Sequence, residues 1–569
     1  MAGQRRVIAQ SHRSQMWATS QTPLSLAAFA AAPALAGWVL LLWATAGSLR
    51  DEQPGNKSSR WTWWLLVLGV LVLFRWPLIT LAHELYADET QMLASALTLR
   101  HDPVFWRSVD GGTAGPLDFY VLLPASFFPG TAGYAATRLT AVVLLWGLLV
   151  AAGETLALVT DRRVARAAVL PALAFEAFTT SPELVHYSTE LVAALLLALA
   201  VCAIVRQTIR PADGNLWAAA LLLGAVPFAK LQAGPIAAAL GLGLIVFEHR
   251  AGRPRHVGLL IGAALLPSLL VAVGVTATGQ AEHMLIRYFL QNSHYTQIGR
   301  LAPGEVVGQL WTQSVTNGYH ALWLAGSAVF IIGAAGGAGP VPLPLRRSAL
   351  AAAGLLAVSV FAILAPGRPY HHYLNLLTLP LTLLSGLALH HLRQSGLGGK
   401  YSATALVPGV FLLCTLLPQL GLRASPRPDP FAYYNTTLSA RGPEHHQLIA
   451  AIQSLSTPGE ALGLWGWRSS LYVEAGLTHA TREPTTLFQW VAGPWQNYYL
   501  RSYYENLVAS APPLFVDTAG PGNFWFDRRA MGHEVYPRLR DWVDTNYRLV
   551  GEWDGVRLYA RRDRRPVAP

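Results

Sequence analysis

The feature that most constrains this chain is the recurrence of apolar runs about 20 residues long, each enough to cross roughly 30 Å of hydrocarbon. Candidate crossings read at 24–46, 61–82, 136–159, 165–181, 188–206, 215–229, 233–249, 257–277, 320–337, 348–366, 371–392 and 402–421. Such runs become helices because the bilayer core has no water to satisfy backbone N–H and C=O groups. The expected fold class is a polytopic α-helical membrane protein with about twelve crossings. Composition agrees: 53% of residues are hydrophobic and only 13% charged, where soluble proteins carry about 25%. Arg5, Arg6 and Arg13 precede a run too long for the apolar core of a cleavable signal peptide.

The net charge of +11 does not make a nucleic-acid stripe, because the basic residues gather in short alternate loops. Arg50, Lys57 and Arg60 fill one, and Arg162, Arg163 and Arg166 another. Arg206 and Arg210, then Arg250, Arg253 and Arg255, then Arg346 and Arg347, then Arg393 and Lys400 fill the rest. The positive-inside rule makes that side cytoplasmic in a multi-pass plasma-membrane protein. The opposite side then holds the loop 83–135, the loop Ser181–Glu190, the stretch 278–319 and everything beyond Leu422. The arginines before 24–46 would also lie outside, so that helix either controls orientation weakly or does not cross. The two cysteines, Cys202 and Cys414, both sit in apolar segments and indicate neither a disulfide framework nor a metal site.

At residue 423 the composition turns to that of a soluble domain, behind the linker Ala424–Pro430. Two units are expected: a transmembrane domain over 1–422 and an extracytoplasmic α/β domain over 423–569. Glu444–Thr457 has helical spacing, while Ala461–Trp467 and Pro513–Thr518 read as buried strands. Arg548–Arg561 reads as a hairpin turning at Asp554-Gly555. No internal repeat is visible, which counts against most secondary transporters.

The stretch from His83 to Tyr120 carries six acids, Glu84, Asp88, Glu89, Asp102, Asp110 and Asp118, against Arg100 and Arg107. On a helix Glu84 and Asp88 would share a face, whereas the adjacent Asp88 and Glu89 cannot. His83-Glu84 begins like a zinc-binding His-Glu-x-x-His, but Ala87 occupies the second histidine position. Pro116 to Pro129 is apolar yet too short to cross, and reads as an interfacial segment.

A crossing, an outer loop opening with Asp88-Glu89, then Gly115-Pro116-Leu117 with Tyr120, then Arg138 heading the next crossing: this order resembles the GT-C superfamily of integral-membrane glycosyltransferases. It is most similar to the family 39 type, which includes protein O-mannosyltransferases and lipid A aminoarabinose transferases. The family often has Pro-Pro-Leu preceded by His or Lys; here Ala114-Gly115-Pro116-Leu117 stands instead. The resemblance implies inverting transfer of a sugar from a polyprenyl-phosphate donor to an acceptor hydroxyl on the outer face. It implies Asp88 as the base, with Glu89 orienting Asp88 or the acceptor, and Asp110, Pro116 and Tyr120 on the acceptor or loop side. The acceptor, whether lipid, glycan or protein, stays open.

A lipid-phosphate leaving group calls for cations at the same rim. The candidates are Arg138, Lys230, Arg287, Arg300 and Arg368, with His371 and His372 beside Tyr370; Lys230 lies in a proline-flanked break, Pro227 to Pro235. A cation at membrane depth is costly unless it faces a polar cavity; the alternative is snorkelling to headgroups. Glu190 is either a third acid of the site or a helix-start acid favoured by the dipole. Glu176, inside a crossing, needs a partner. No cofactor is required by this chemistry; a divalent cation would have to sit among Asp88, Glu89 and Glu190. The competing readings are a transporter or lipid flippase, and a scaffold in envelope assembly.

Overall fold

The computed structural model describes residues 24–49, 57–179, 181–316, 327–328, 331–332, 340–395, 442–521, 523 and 527–565. Most of the expected crossing at 320–337, all of that at 402–421, and the linker Ala424–Pro430 lie outside the described residues.

The helices are α1 (Leu24–Leu49), α2 (Lys57–Ile79), α3 (Ala87–His101), α4 (Pro116–Val121), α5 (Ala132–Val159) and α6 (Arg162–Phe178). Then follow α7 (Glu190–Ile209), α8 (Asp213–Ala225), α9 (Gly234–Arg250), α10 (Pro254–Ala277), α11 (Leu343–Leu364) and α12 (Thr378–Gln394). Among the described residues, seven helical segments are long and apolar enough to cross a membrane: Arg60–Ile79, Ala132–Val159, Glu190–Ile209, Leu231–Arg250, Pro254–Ala277, Leu343–Leu364 and His371–Gln394. The expected count of about twelve is therefore not reproduced by length and composition. Helix α6 stops after 17 residues and α8 after 13, because Pro227 breaks the latter into a 3-10 turn, Val226–Phe228. Within the segment His371–Gln394, every residue over 371–387 is buried. Helix α10 instead turns Leu265, Leu269, Leu270 and Val273 outward.

Apolar helices gain little from mutual burial in lipid, so close approach of small residues decides their packing. Helices α8 and α10 meet where a Cβ on Gly224 would lie 2.1 Å from the Ala264 carbonyl oxygen. Buried charges pair. Glu176 on α6 meets Arg75 on α2 at 2.9 Å, and the same guanidinium donates to the Glu176 and Leu184 carbonyls.

The bundle has two chemically different ends. At one, Arg60 pairs with Glu154 at 2.8 Å, Arg393 with Asp161 at 2.6 Å, and Arg166 donates to the Gly47 carbonyl. At the other end of α5, Tyr134 donates to Glu474 of the C-terminal part. The basic loops thus collect opposite the acidic stretch.

The C-terminal part comprises α13 (Pro443–Ser454), β1 (Ala461–Trp465), α14 (Ser470–Ala475), β2 (Thr478–His479) and α15 (Gln496–Ser510). It ends with β3 (Leu514–Asp517), α16 (Pro537–Asn546), β4 (Tyr547–Trp553) and β5 (Val556–Arg561). The sheet order is β2-β1-β3-β5-β4, with β1 parallel to β2 and β3 and the rest antiparallel. The β4–β5 turn uses Asp554 and Gly555 at φ 50° and 69°, the left-handed pair that a two-residue hairpin needs. The sheet sits on the acidic stretch: the Asp110 N–H donates to the Arg482 carbonyl and the His479 N–H to Thr98.

Gly224→Leu is expected to separate α8 from α10 and lower the apparent melting temperature of the detergent-purified protein, measured by fluorescence-detected thermal unfolding.

Candidate active site

Helix α3 begins at Ala87, with Tyr86 as its extended N-cap residue. Glu84 therefore precedes the helix and cannot share a helical face with Asp88; it accepts from the Thr90 hydroxyl at 2.7 Å instead. Asp88 and Glu89 occupy the first turn, about 100° apart around the axis, and that angle separates their environments. Asp88 is half-buried, lines a cavity, and accepts from Gln91 at 3.2 Å. Glu89 points the other way and is completely buried.

Glu89 is locked to Arg138. The guanidinium Nε and Nη2 donate to its two carboxylate oxygens at 2.8 Å each. The other donors reach the carbonyls of Leu78 at 2.9 Å, Leu81 at 2.7 Å and His83 at 2.5 Å. All five N–H groups have acceptors, and neither side chain is exposed. Arg138, expected to face the donor phosphate, is instead a joint between α5, the end of α2 and the start of α3. It does not line the cavity, and neither does Glu89.

The cavity, of about 250 Å³, lies between the acidic end of the bundle and the C-terminal part. Asp88, Asp110, Lys230, Arg368 and His372 line it. Lys230 arrives on the backbone between two 3-10 turns, Val226–Phe228 and Leu231–Ala233. Its Nζ donates to Thr189 at 2.5 Å and pairs with Glu190 at 3.0 Å, beside the Tyr373 ring. Glu190, fully buried at the start of α7, is thus the counter-charge of Lys230. Gly115 makes this delivery possible. Its N–H donates to the Ala229 carbonyl at 2.8 Å, and a Cβ there would lie 2.1 Å from the Phe228 oxygen. The departure from Pro-Pro-Leu thus has a steric reason, since the loop lies directly on the backbone that carries Lys230.

Arg368 lies over the Tyr295 ring at 4.8 Å and donates through Nη2 to the carbonyls of Tyr295 and Ile298. Its buried Nε has no acceptor. His372 stacks on Tyr370 and holds Glu183 through Nδ1 at 3.1 Å, with Nε2 3.8 Å from Glu190. His371 faces away from the cavity, against Ser181 at 3.1 Å. Pro116 serves as the first residue of α4, and the Tyr120 hydroxyl donates to the Pro103 carbonyl; neither lines the cavity.

Two further acids, Glu183 and Asp118, lie behind the cavity without lining it, and residues the sequence did not single out complete the wall from the C-terminal part. Glu183 accepts from the His371 N–H at 2.7 Å and from His372. Burial alone would raise its pKa, but the His372 hydrogen bond and the fields of His372 and His371 overcome this and hold it at about 2. Asp118 is the opposite case. It is fully buried beneath the loop, neither carboxylate oxygen has a hydrogen bond, and burial pushes its pKa well above the usual carboxylate range against the field of Lys230. From the C-terminal part come Trp467, Glu483, Phe488 and Trp490. Nothing in periodicity or motif could have joined these to Asp88, more than 300 positions away.

The acids do not form a cation site, since Glu89 is compensated by Arg138 and Glu190 by Lys230. The one group of described residues with ligating atoms close together is Asp517, His533 and Glu534. There Arg528 already lies 3.1 Å from Asp517, which in turn accepts from His533 at 2.5 Å, so a guanidinium supplies the positive charge.

No protein-family model and no curated protein sequence matches this chain. Among solved structures it is similar to ArnT from Cupriavidus metallidurans bound to undecaprenyl phosphate, at 14% identity and TM-score 0.55. That superposition covers 88% of this chain and 98% of ArnT. The chain has the fold of ArnT. ArnT in the apo state aligns at 12% identity and TM-score 0.48, over 88% of this chain and 98% of that one. The Archaeoglobus fulgidus oligosaccharyltransferase tethered with an acceptor peptide aligns at 10% and 0.34, over 93% and 74%.

Two outcomes follow from the buried pairs. Arg138→Met strands the Glu89 carboxylate in a dry site, which costs about 3–5 kcal/mol, and should appear as a large drop in apparent melting temperature. Glu183, held at about 2, contributes stability that is complete above its ordinary pKa and is lost as pH falls through 2. Glu183→Gln should therefore melt lower than the parent at pH 7, with the gap closing as the pH is lowered towards 3.

Proposed function

We propose that this chain is a membrane glycosyltransferase that moves a sugar from a polyprenyl-phosphate donor to an acceptor hydroxyl at the extracytoplasmic face of the plasma membrane. The observation that carries the reading is one cavity, at the bundle end away from the basic loops, lined by both the carboxylate of Asp88 and the cations Lys230 and Arg368. A lipid-borne donor reaches that level from the bilayer and a water-borne acceptor from outside. The solved ArnT bound to undecaprenyl phosphate supports a polyprenyl phosphate as the donor's lipid. The two expected units then divide the work: the membrane part, 1–422, holds donor and base, and the part from 423 closes over them.

Asp88 takes the proton of the acceptor hydroxyl as its oxygen forms a new bond to the anomeric carbon. The bond from that carbon to the phosphate oxygen breaks, and the lipid phosphate leaves with the electron pair, inverting the centre. Lys230 and Arg368 stabilise the growing negative charge; Arg368 has a buried donor to spare. Lys230 supplies the cation that the related loop carries before its Pro-Pro-Leu triplet. Glu190 and His372 position Lys230, and Glu89 fixes the turn that aims Asp88. No divalent cation takes part in this scheme.

Purified protein incubated with a radiolabelled polyprenyl-phosphate sugar panel should release lipid phosphate in step with acceptor glycosylation. Asp88→Asn, folded by its melting curve, should lose about 10²–10⁴ in rate. Full activity in that variant would remove the base assignment. Movement of intact donor across vesicles without sugar transfer would favour a flippase.

A further inference from the structure

The cavity has a floor from the membrane part and a roof from the C-terminal part, and the roof is chemically distinct. It presents the half-buried rings of Trp467 and Trp490 and the buried ring of Phe488. Among these rings stands Glu483, only 4% exposed. Its Oε1 accepts from Arg287 at 2.5 Å, while its Oε2 is buried, lacks any hydrogen bond, and belongs to a residue on the cavity wall. A buried acceptor without a donor is costly, so a site built this way is completed by a ligand that brings a hydroxyl or N–H group.

The carboxylate is held rather than loose. Arg287 is fully buried and bonds Asp110 at 2.7 Å and Ser502 at 2.7 Å, with the Tyr499 ring 4.7 Å from its guanidinium carbon. This fixes Glu483 Oε1 and leaves Oε2 in place. Ligand sites are generally apolar walls with a few fixed polar groups, and here the walls are aromatic faces.

We propose that this roof is a saccharide subsite: the acceptor offers a sugar ring that lies on Trp467 or Trp490 and donates a hydroxyl to Glu483 Oε2, which turns another hydroxyl towards Asp88. It rests on the transferase reading above and adds the class of acceptor. A sugar ring has an apolar C–H face that can lie against an aromatic surface and hydroxyl donors at its edge, and a donor is what Glu483 Oε2 lacks. An acyl chain would lie against the buried Glu483 carboxylate without satisfying its Oε2. A serine or threonine side chain is too narrow to cover the rings.

The test is saturation-transfer NMR on the full chain in nanodiscs. The probes are methyl hexopyranosides, methyl 2-acetamido-2-deoxyhexopyranosides and methyl pentosides, with Ser- and Thr-containing tripeptides and a diacylglycerol alongside. At least one glycoside should bind, its ring C–H protons should receive the saturation, and Trp467→Ala or Trp490→Ala should weaken it about tenfold or more. Trp467→Phe, which keeps a ring face, should recover most of the loss. Glu483→Gln, which keeps an acceptor for Arg287 but puts an amide donor at the Oε2 position, should weaken glycosides whatever its melting temperature. Binding of tripeptide or diacylglycerol but no glycoside overturns the proposal, as does glycoside binding indifferent to all three positions. Polyprenyl phosphate binding is measured separately on the same protein. A chain that binds it without glycosides refutes the subsite and leaves the donor reading intact. A chain that binds glycosides without it supports the subsite and refutes the donor reading.

Discussion

A guanidinium shut off from solvent organises the acidic end of this molecule. Arg138 reaches out of α5 and closes six hydrogen bonds, two to Glu89 and four to carbonyls between Leu78 and His83, on the way from α2 to α3. Burying two charges is expensive, and only near-complete hydrogen bonding offsets it. The connection therefore has one conformation, because any other would leave donors or a carboxylate unmatched. Asp88 inherits that rigidity through a single peptide bond. Its carboxylate faces the cavity because its neighbour's cannot.

The cations follow a related logic with a different outcome. Lys230 is balanced by Glu190 and His372 by Glu183, each pair on segments that meet only in the folded bundle. Such pairing lowers the cost of placing a polar group at membrane depth. Arg368 leans on a tyrosine ring and two carbonyls instead of a carboxylate, which leaves its charge available to an arriving anion. The cavity thus combines compensated groups that hold shape with a cation and a carboxylate that are not neutralised by each other.

Much of this was legible in the chain. Seven apolar runs become long helices, and the strands around Leu464 and Val516 and the turn at Asp554-Gly555 fall where alternation and turn chemistry place them. Lys230 could be found because a lysine between prolines inside an apolar run needs a polar reason. Arg138 was legible as important but not in its role: sequence order puts it near Asp88-Glu89, and only the helical angle between those two acids decides which one it meets. Glu183 gave no signal, since a lone acid in a loop looks like any solvated residue. Glu483 and the tryptophans of the roof gave none either, because a contact between residue 88 and residue 467 or 483 depends on how a sheet seats on a bundle. The expected crossing at 215–229 is shorter than its apolar run suggested for a local reason, as Pro227 ends α8.

The Arg287 knot sets how traffic through the cavity can work. It ties Asp110 of the acidic stretch to Glu483 and Ser502 of the sheet-bearing part, so the roof cannot tilt upward as one piece without stranding a bare guanidinium. Entry and exit must then go by side gaps, with single rings and short turns stepping aside. The ceiling is not also the door, and the dimensions of those gaps set an upper bound on what can pass.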